Sequence, residues 1–275
     1  MTAWRLLDTG ALPASINMAI DEALLQLHAR GESPPTLRFY QWLPPAVSFG
    51  YFQRNNSLDL DSCRTMGLDI VRRHTGGRAV LHQNDLTYSV VAGTRDGIPL
   101  SLAASYRLLC DGLLAGCRLL GFEAERGREN VRSSRTDICF MRSAAGDLVV
   151  QGKKFMGSAQ TWTGASLLQH GSLVLEPQHE TWAKIIAPTG ISHRALLEKL
   201  AARTTSLGEI LGHTVEPDDV KTALRTGLAQ VLGQEFEAGE LTAPEWALAR
   251  ELASRHVDPN WPVAANICAV ARYCS

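Results

Sequence analysis

Short apolar runs broken by turns containing glycine or proline dominate residues 36–175, and they limit the fold more than any other feature of the chain. "TLRFYQW" (36–42) and "AVSFGYF" (46–52) are rich in aromatic and β-branched residues and are parted by Pro44 and Pro45. Such residues suit a pleated, half-buried surface, so both runs read as short strands. "LDIVRRHTGGRAVLH" (68–82) reads as strand, turn and strand, the pattern of a hairpin, and "LTYSVVAG" (86–93) extends the sheet. "DLVVQGKKFMGSAQTWTGASLLQHGSLVL" (147–175) holds three more apolar runs separated by "QGKK", "WTG" and "QHG".

Helices interleave with these strands. Ser15 is placed to cap a helix in which Ile16, Ile20, Ala23, Leu24 and Leu27 form one stripe of a 3.6-residue period, ending near Gly31. Ser101 is placed to cap a second, with Tyr106, Leu109, Leu113, Cys117 and Leu120 on one face and Gly121 at its end. Beyond Pro188 the texture becomes helical. Pro217 can open a helix with Val220, Leu224, Leu228 and Val231 inward, and Thr242 with Glu245 three residues on makes a capping box. The order of elements predicts an α+β fold, with mixed, largely antiparallel sheets flanked by helices and a helical C-terminal layer over about residues 190–256. No Gly/Ser/Pro-rich linker precedes that layer, so residues 1–275 are expected to form a single domain with its core over about 31–217.

Composition narrows the function. With 27 basic against 28 acidic residues the net charge is −1, which supplies no field to gather nucleic acid or an anionic membrane. No run of eighteen apolar residues occurs and "MTAWRLLDTG" lacks the order of a secretory signal, so a cytoplasmic protein is expected. Cys63, Cys110, Cys117, Cys139, Cys268 and Cys274 form no C-x-x-C pair, which suggests neither a metal site nor a disulfide framework.

Two stretches carry chemistry. In "RRHTGGRAVLH", Gly76 and Gly77 allow positive φ and expose backbone N–H groups, while Arg72, Arg73 and Arg78 crowd positive charge around the turn. A phosphate or carboxylate would fit there, and a hairpin turn with solvated arginines is the bland alternative. It is neither a P-loop nor a dinucleotide fingerprint. In "GKKFMGSAQ" the small residues Gly157, Ser158 and Ala159 leave a groove in which a ligand can lie against the backbone. Lys153 and Lys154 are neighbours, so on a strand only one of them can serve a given face.

Taken with "LLQHGSLVL", these stretches resemble the lipoate-protein ligase A and biotin-ligase-like superfamily (the BPL/LPL catalytic domain), in which an RRxTGG segment and a KxxGSAQ strand enclose a fatty-acyl or lipoyl chain. "WRLLDTG" and "NMAIDEALL" look like the opening strand and helix of that family, and the resemblance runs to at least Pro177. ATP-using ligases of the superfamily usually read TGGG-x-V-x-HD, whereas Arg78 and Gln83 stand here in place of the third glycine and the aspartate. The chain is more similar to the octanoyltransferase branch, whose nucleophilic cysteine lies in a C-F segment upstream of the GSAQ strand; Cys139-Phe140 occupies that place.

The resemblance implies a donor, octanoyl-acyl carrier protein, and an acceptor, a lysine of a lipoyl-domain protein of the glycine-cleavage H protein type or of an E2 lipoyl domain. It implies no cofactor and no metal, with Cys139 and Lys154 as the catalytic pair. Arg73, Thr75, Gly76, Gly77, Arg78, His82, Gly157, Ser158, Ala159 and His170 would bind substrate. A thiolate is the nucleophile, and a cysteine with an ordinary pKa of about 8.5 is scarcely ionised at neutrality, so a nearby ammonium would raise the reactive fraction. Arg72 and Arg73 are left with two possible roles, contacting the carrier's phosphopantetheine arm or holding the loop through backbone carbonyls. Three other activities stay open: an ATP-dependent lipoate ligase, an amidotransferase moving octanoyl between lipoyl domains, and a binding module without turnover.

Overall fold

The structure, a computed structural model, describes residues 3–53, 58–127, 147–187 and 190–257. The first half runs β1 (Trp4–Leu12), α1 (Ala14–Arg30), β2 (Thr36–Trp42), β3 (Ala46–Phe49), α2 (Leu60–Thr65), β4 (Asp69–Arg72), β5 (Val80–His82), β6 (Asp85–Gly93) and α3 (Leu102–Leu119). β7 (Glu125–Arg126), β8 (Leu148–Val150), β9 (Lys153–Thr163) and β10 (Ser166–Val174) follow. The remainder is α4 (His179–Ile185), α5 (His193–Ala201), α6 (Leu207–Leu211), α7 (Pro217–Leu232), β11 (Phe236–Ala238) and α8 (Ala243–Val257). Eight strands form one sheet in the order β11-β1-β2-β6-β10-β9-β8-β7, and β4-β3-β5 form a small second sheet. The pairs from β2 through β7 are antiparallel, and β1 runs parallel to both β2 and β11.

Register divides the large sheet into two faces. Tyr40 aligns with Thr87, Thr87 with Ser172 and Ser172 with Gly157; two residues along each strand, Arg38, Ser89, His170 and Ala159 align. Alternate strand residues point to opposite sides, so these positions share a face on which α1 lies. Phe39, Leu86, Tyr88, Val90, Leu167 and Leu173 join the opposite, apolar layer, with Leu109, Leu113 and Cys117 of α3 and Val220, Leu224 and Leu228 of α7. α3 and α7 meet closely because both carry glycine at the crossing. A Cβ on Gly227 would collide with the backbone at Gly112 and Gly116.

Local expectations are corrected at three points. α1 starts at Ala14 behind Pro13, so Ser15 lies inside the helix and caps nothing. The segments flanking the glycine turn are not a hairpin. β3 lies between them, paired parallel with β4 and antiparallel with β5. "QHG" is no turn either, since β10 passes through it without interruption. The other helix ends follow the sequence: Ser101 accepts the Ala104 N–H, Gly31 takes a left-handed φ of 82°, and Thr242 and Glu245 bond reciprocally.

Candidate active site

A cavity with about 400 Å³ of empty space, counting its open mouth, sits on the α1 face where the two sheets meet. β9 and β10 supply Gly157, Ser158, Ala159, His170, Gly171 and Ser172, the loop between β4 and β5 supplies Arg73 and Gly77, and β2 supplies Tyr40 and Trp42. Met18, Val80, His82 and Thr87 complete the lining.

The glycine loop is held by its own arginines. Arg73 is buried and donates from Nη1 to the Ser48 carbonyl and hydroxyl, both at 2.7 Å, and from Nη2 to the carbonyls of Gly76 at 3.1 Å and Arg78 at 2.9 Å. Arg72 donates to the carbonyls of Gly50 at 2.7 Å and Gln53 at 2.8 Å. Both guanidinium groups therefore hold backbone carbonyls, one of the two roles left open by the sequence, and Arg73 also lines the cavity. Gly77 has φ 95°, a region that L side chains rarely occupy, and Gly50 packs so tightly beneath it that a Cβ there would collide with the Gly77 carbonyl.

Two histidines tie this region to the large sheet, His170 through the loop and His82 through the small sheet. His170 lies 2.6 Å through Nε2 from the Thr75 hydroxyl and 3.0 Å through Nδ1 from Asp21 Oδ2. Asp21 also accepts from Tyr40, Ser89 and Arg38, each at 2.8 Å, and Arg38 donates to the Asn17 side chain at 2.6 Å. His82 lies 2.8 Å through Nδ1 from Asp85 and 2.7 Å through Nε2 from Ser48, and it stacks on Trp42 at 3.8 Å between ring centres. Burial pushes the pKa of both imidazoles below the ordinary value despite their carboxylate partners. The neutral tautomer that donates from Nδ1 satisfies every one of these contacts. Burial drives the Asp21 carboxyl upward, but the His170 hydrogen bond, the Arg38 charge and Ser89 together outweigh it and hold it low.

Lys154 enters from the β9 edge. Lys153 is exposed, while Lys154 is 1% exposed and its Nζ lies 2.9 Å from Asp147 Oδ1, itself buried. A Cβ on Gly157 would lie 2.8 Å from that Nζ, so the amine packs against a glycine that lines the cavity. Cys139 lies outside the described residues. Among the described cysteines, burial pushes Cys63 up to about 11 and Cys110 and Cys117 up to about 12, the behaviour of packing thiols and not of nucleophiles.

Of the residues singled out from sequence, Arg73, Gly77, His82, Gly157, Ser158, Ala159 and His170 line one cavity. Thr75 and Gly76 stand one contact behind it, bonded to His170 and Arg73 respectively. Arg78 contributes a carbonyl to Arg73, and its side chain does not line the cavity. Sequence reasoning missed Asp21, Arg38, Ser48, Asp85 and Asp147. A signal existed for the first: Asn17 and Asp21, four residues apart, share one side of the helix and are buried there.

Comparison with known proteins fits this geometry. Residues 13–229 match the model of the lipoyl protein ligase A/B catalytic domain. The octanoyltransferase LipM of Kyrpidia tusciae is 41% identical over 270 residues, covering 95% of this chain and 98% of its own. Among solved structures, the bipartite lipoate protein ligase of Thermoplasma acidophilum, described with its E2 lipoyl domain, superposes with a TM-score of 0.79 at 25% identity, covering 95% of this chain and 96% of that one. A structure of a putative lipoate protein ligase from T. acidophilum with bound lipoic acid gives a TM-score of 0.75 at 26% identity, covering 93% and 96%.

Proposed function

The chain belongs to the lipoyl protein ligase A/B catalytic domain family, and on that premise we propose that it is an octanoyltransferase of lipoate assembly, carrying the acyl group from octanoyl-acyl carrier protein to a lysine of a lipoyl domain. The observation that carries this reading is a cavity lined by Gly77 and by Gly157-Ser158-Ala159, with the buried amine of Lys154 against Gly157. An eight-carbon chain needs a slot without bulky side chains, and small wall residues provide one. Relatives named octanoyltransferase at 41% identity over nearly the whole chain support the same acyl group.

Cys139 acts as nucleophile. Its thiolate sulfur attacks the donor thioester carbonyl, the carbon–sulfur bond to the carrier breaks, and the departing thiolate takes a proton from the Lys154 ammonium. The neutral Lys154 amine then removes a proton from the acceptor lysine as that amine attacks the octanoyl-S-cysteine. An amide forms, and the Cys139 thiolate and the Lys154 ammonium are restored. Exchange of one thioester for another is nearly balanced and thioester to amide runs downhill, so the cycle needs no nucleotide, cofactor or metal. The acceptor is an H protein-like or E2 lipoyl domain; the lipoyl domain described with the T. acidophilum relative supports that class. We place the enzyme in the cytoplasm, where thiols stay reduced, and treat the whole chain as one catalytic unit.

Incubation with octanoyl-acyl carrier protein and no nucleotide, followed by mass spectrometry, tests this. Hydroxylamine-labile octanoyl on Cys139 is expected. An unlabelled protein that modifies a lipoyl domain only with ATP, and does so equally well as Cys139→Ala, would make it a ligase instead.

A further inference from the structure

We propose that Asp147 is a positioning residue for Lys154, holding the amine against the cavity wall; the inference rests on Lys154 being the proton-handling group of acyl transfer. Three features of the structure converge on it. The Lys154 and Asp147 side chains are 1% and 3% exposed and 2.9 Å apart, so the cation has been taken out of water beside a carboxylate. An ammonium buried without a counter-charge is costly, and breaking such a pair on one side leaves a charge that the site must expel. Second, a Cβ on Gly157 would meet both members of the pair, at 2.8 Å from Nζ and 3.4 Å from the Asp147 oxygen, so the pair fills the space that a side chain on this cavity-lining residue would need. Third, the lysine's backbone is fixed from outside the sheet. Its N–H donates to the Arg203 carbonyl at 2.8 Å, and its carbonyl accepts from the Thr205 N–H at 3.0 Å.

The segment following α5 therefore fixes where the lysine starts, and Asp147 fixes where it ends. Between those points lie four flexible bonds, which an unpaired lysine would sample freely. Asp147 touches the lysine and need not touch substrate. Its effect should fall on turnover and leave donor binding alone.

The test measures transfer from octanoyl-acyl carrier protein to a lipoyl domain by the full chain carrying Asp147→Asn, Asp147→Glu, Lys154→Met, or Asp147→Asn with Lys154→Met. Asp147→Asn is expected to lower kcat by about 10²-fold with donor KM unchanged, the scale of a misplaced catalytic group. Asp147→Glu should recover a large part of that loss. In the Lys154→Met background, Asp147→Asn should cost nothing more, since the group it positions is gone. Full rate in Asp147→Asn, or losses that multiply in the double variant, would overturn the proposal. Should Asp147→Asn fail to fold, the double variant decides, because it leaves no orphaned charge: folding and reacting at the Lys154→Met rate supports positioning, and unfolding assigns Asp147 a purely structural role. A full rate for Lys154→Met would instead sink the reading on which the inference rests, and is seen separately.

Discussion

Both faces of the large sheet bury hydrocarbon, but the one under α1, where Leu7, Val91 and Leu168 pack on the helix, also carries a polar network. Under α3 and α7 the face is apolar, and glycines at 112, 116 and 227 let two helices approach until backbones nearly touch. Under α1 the same strands present Arg38, Tyr40, Ser89, His170 and Asp85, joined to Asp21 and the glycine loop by buried hydrogen bonds. Stability comes from burying hydrocarbon, which is non-directional and tolerant of exchange. A site comes from fixing a loop in one geometry, which needs directional bonds whose members fail together. The pleat supplies both because successive residues serve opposite faces.

Substitutions separate the two faces. The largest effect is expected from Arg38→Leu, which leaves the Asp21 carboxylate buried without its guanidinium; a loss of about 3–5 kcal/mol in denaturant unfolding is expected, and a change under 1 kcal/mol would show that the polar network contributes little to folding. On the apolar face, Gly227→Val should force α3 and α7 apart and lower stability by about 3 kcal/mol, with octanoyl transfer retained at a temperature where the protein stays folded. Gly77→Val should strike activity first, reducing transfer by about 10²-fold, with a stability loss of about 1–3 kcal/mol from the strained φ. Equal damage to activity from Gly227→Val and Gly77→Val would erase the distinction between faces.

The smallest effect is on pH. His82 and His170 are held below the ordinary imidazole value by burial, so below about pH 6.5 the unfolded chain binds protons that the folded one refuses. Stability is therefore highest above that pH and is lost as the pH falls, and melting at pH 5.5 should precede melting at pH 7.5. A higher melting temperature at pH 5.5 would contradict the neutral assignment of both rings.

How much of this the sequence disclosed depended on how local each feature was. The glycine pair and the small-residue run depend on neighbours in the chain; the order of residues alone marked Gly157 and Ala159 as a groove, and the family resemblance added Gly77. The insertion of β3 between β4 and β5 was not legible, because strand pairing across a turn is a long-range choice that a local pattern of turn residues does not specify. Arg73 looked like a ligand-facing charge. It does line the cavity, but its guanidinium also bonds carbonyls of its own loop and the carbonyl and hydroxyl of Ser48, twenty-five residues away in sequence. Asp147 escaped notice because its importance lies in the lysine that it meets across the turn between β8 and β9.

The central claim is that the cavity lined by Gly77 and Ala159 holds the octanoyl chain during transfer. The two residues are neighbours in its lining, with a Cβ on Gly77 4.0 Å from that of Ala159, so the larger side chain of Ala159→Leu should obstruct the cavity from the strand side. Nucleotide-free octanoyl transfer by Ala159→Leu, measured beside its melting temperature, is the most direct measurement. The expected result is transfer reduced by about 10²-fold in a protein that melts like the parent; a variant that melts alike and transfers octanoyl at the parent rate would contradict it.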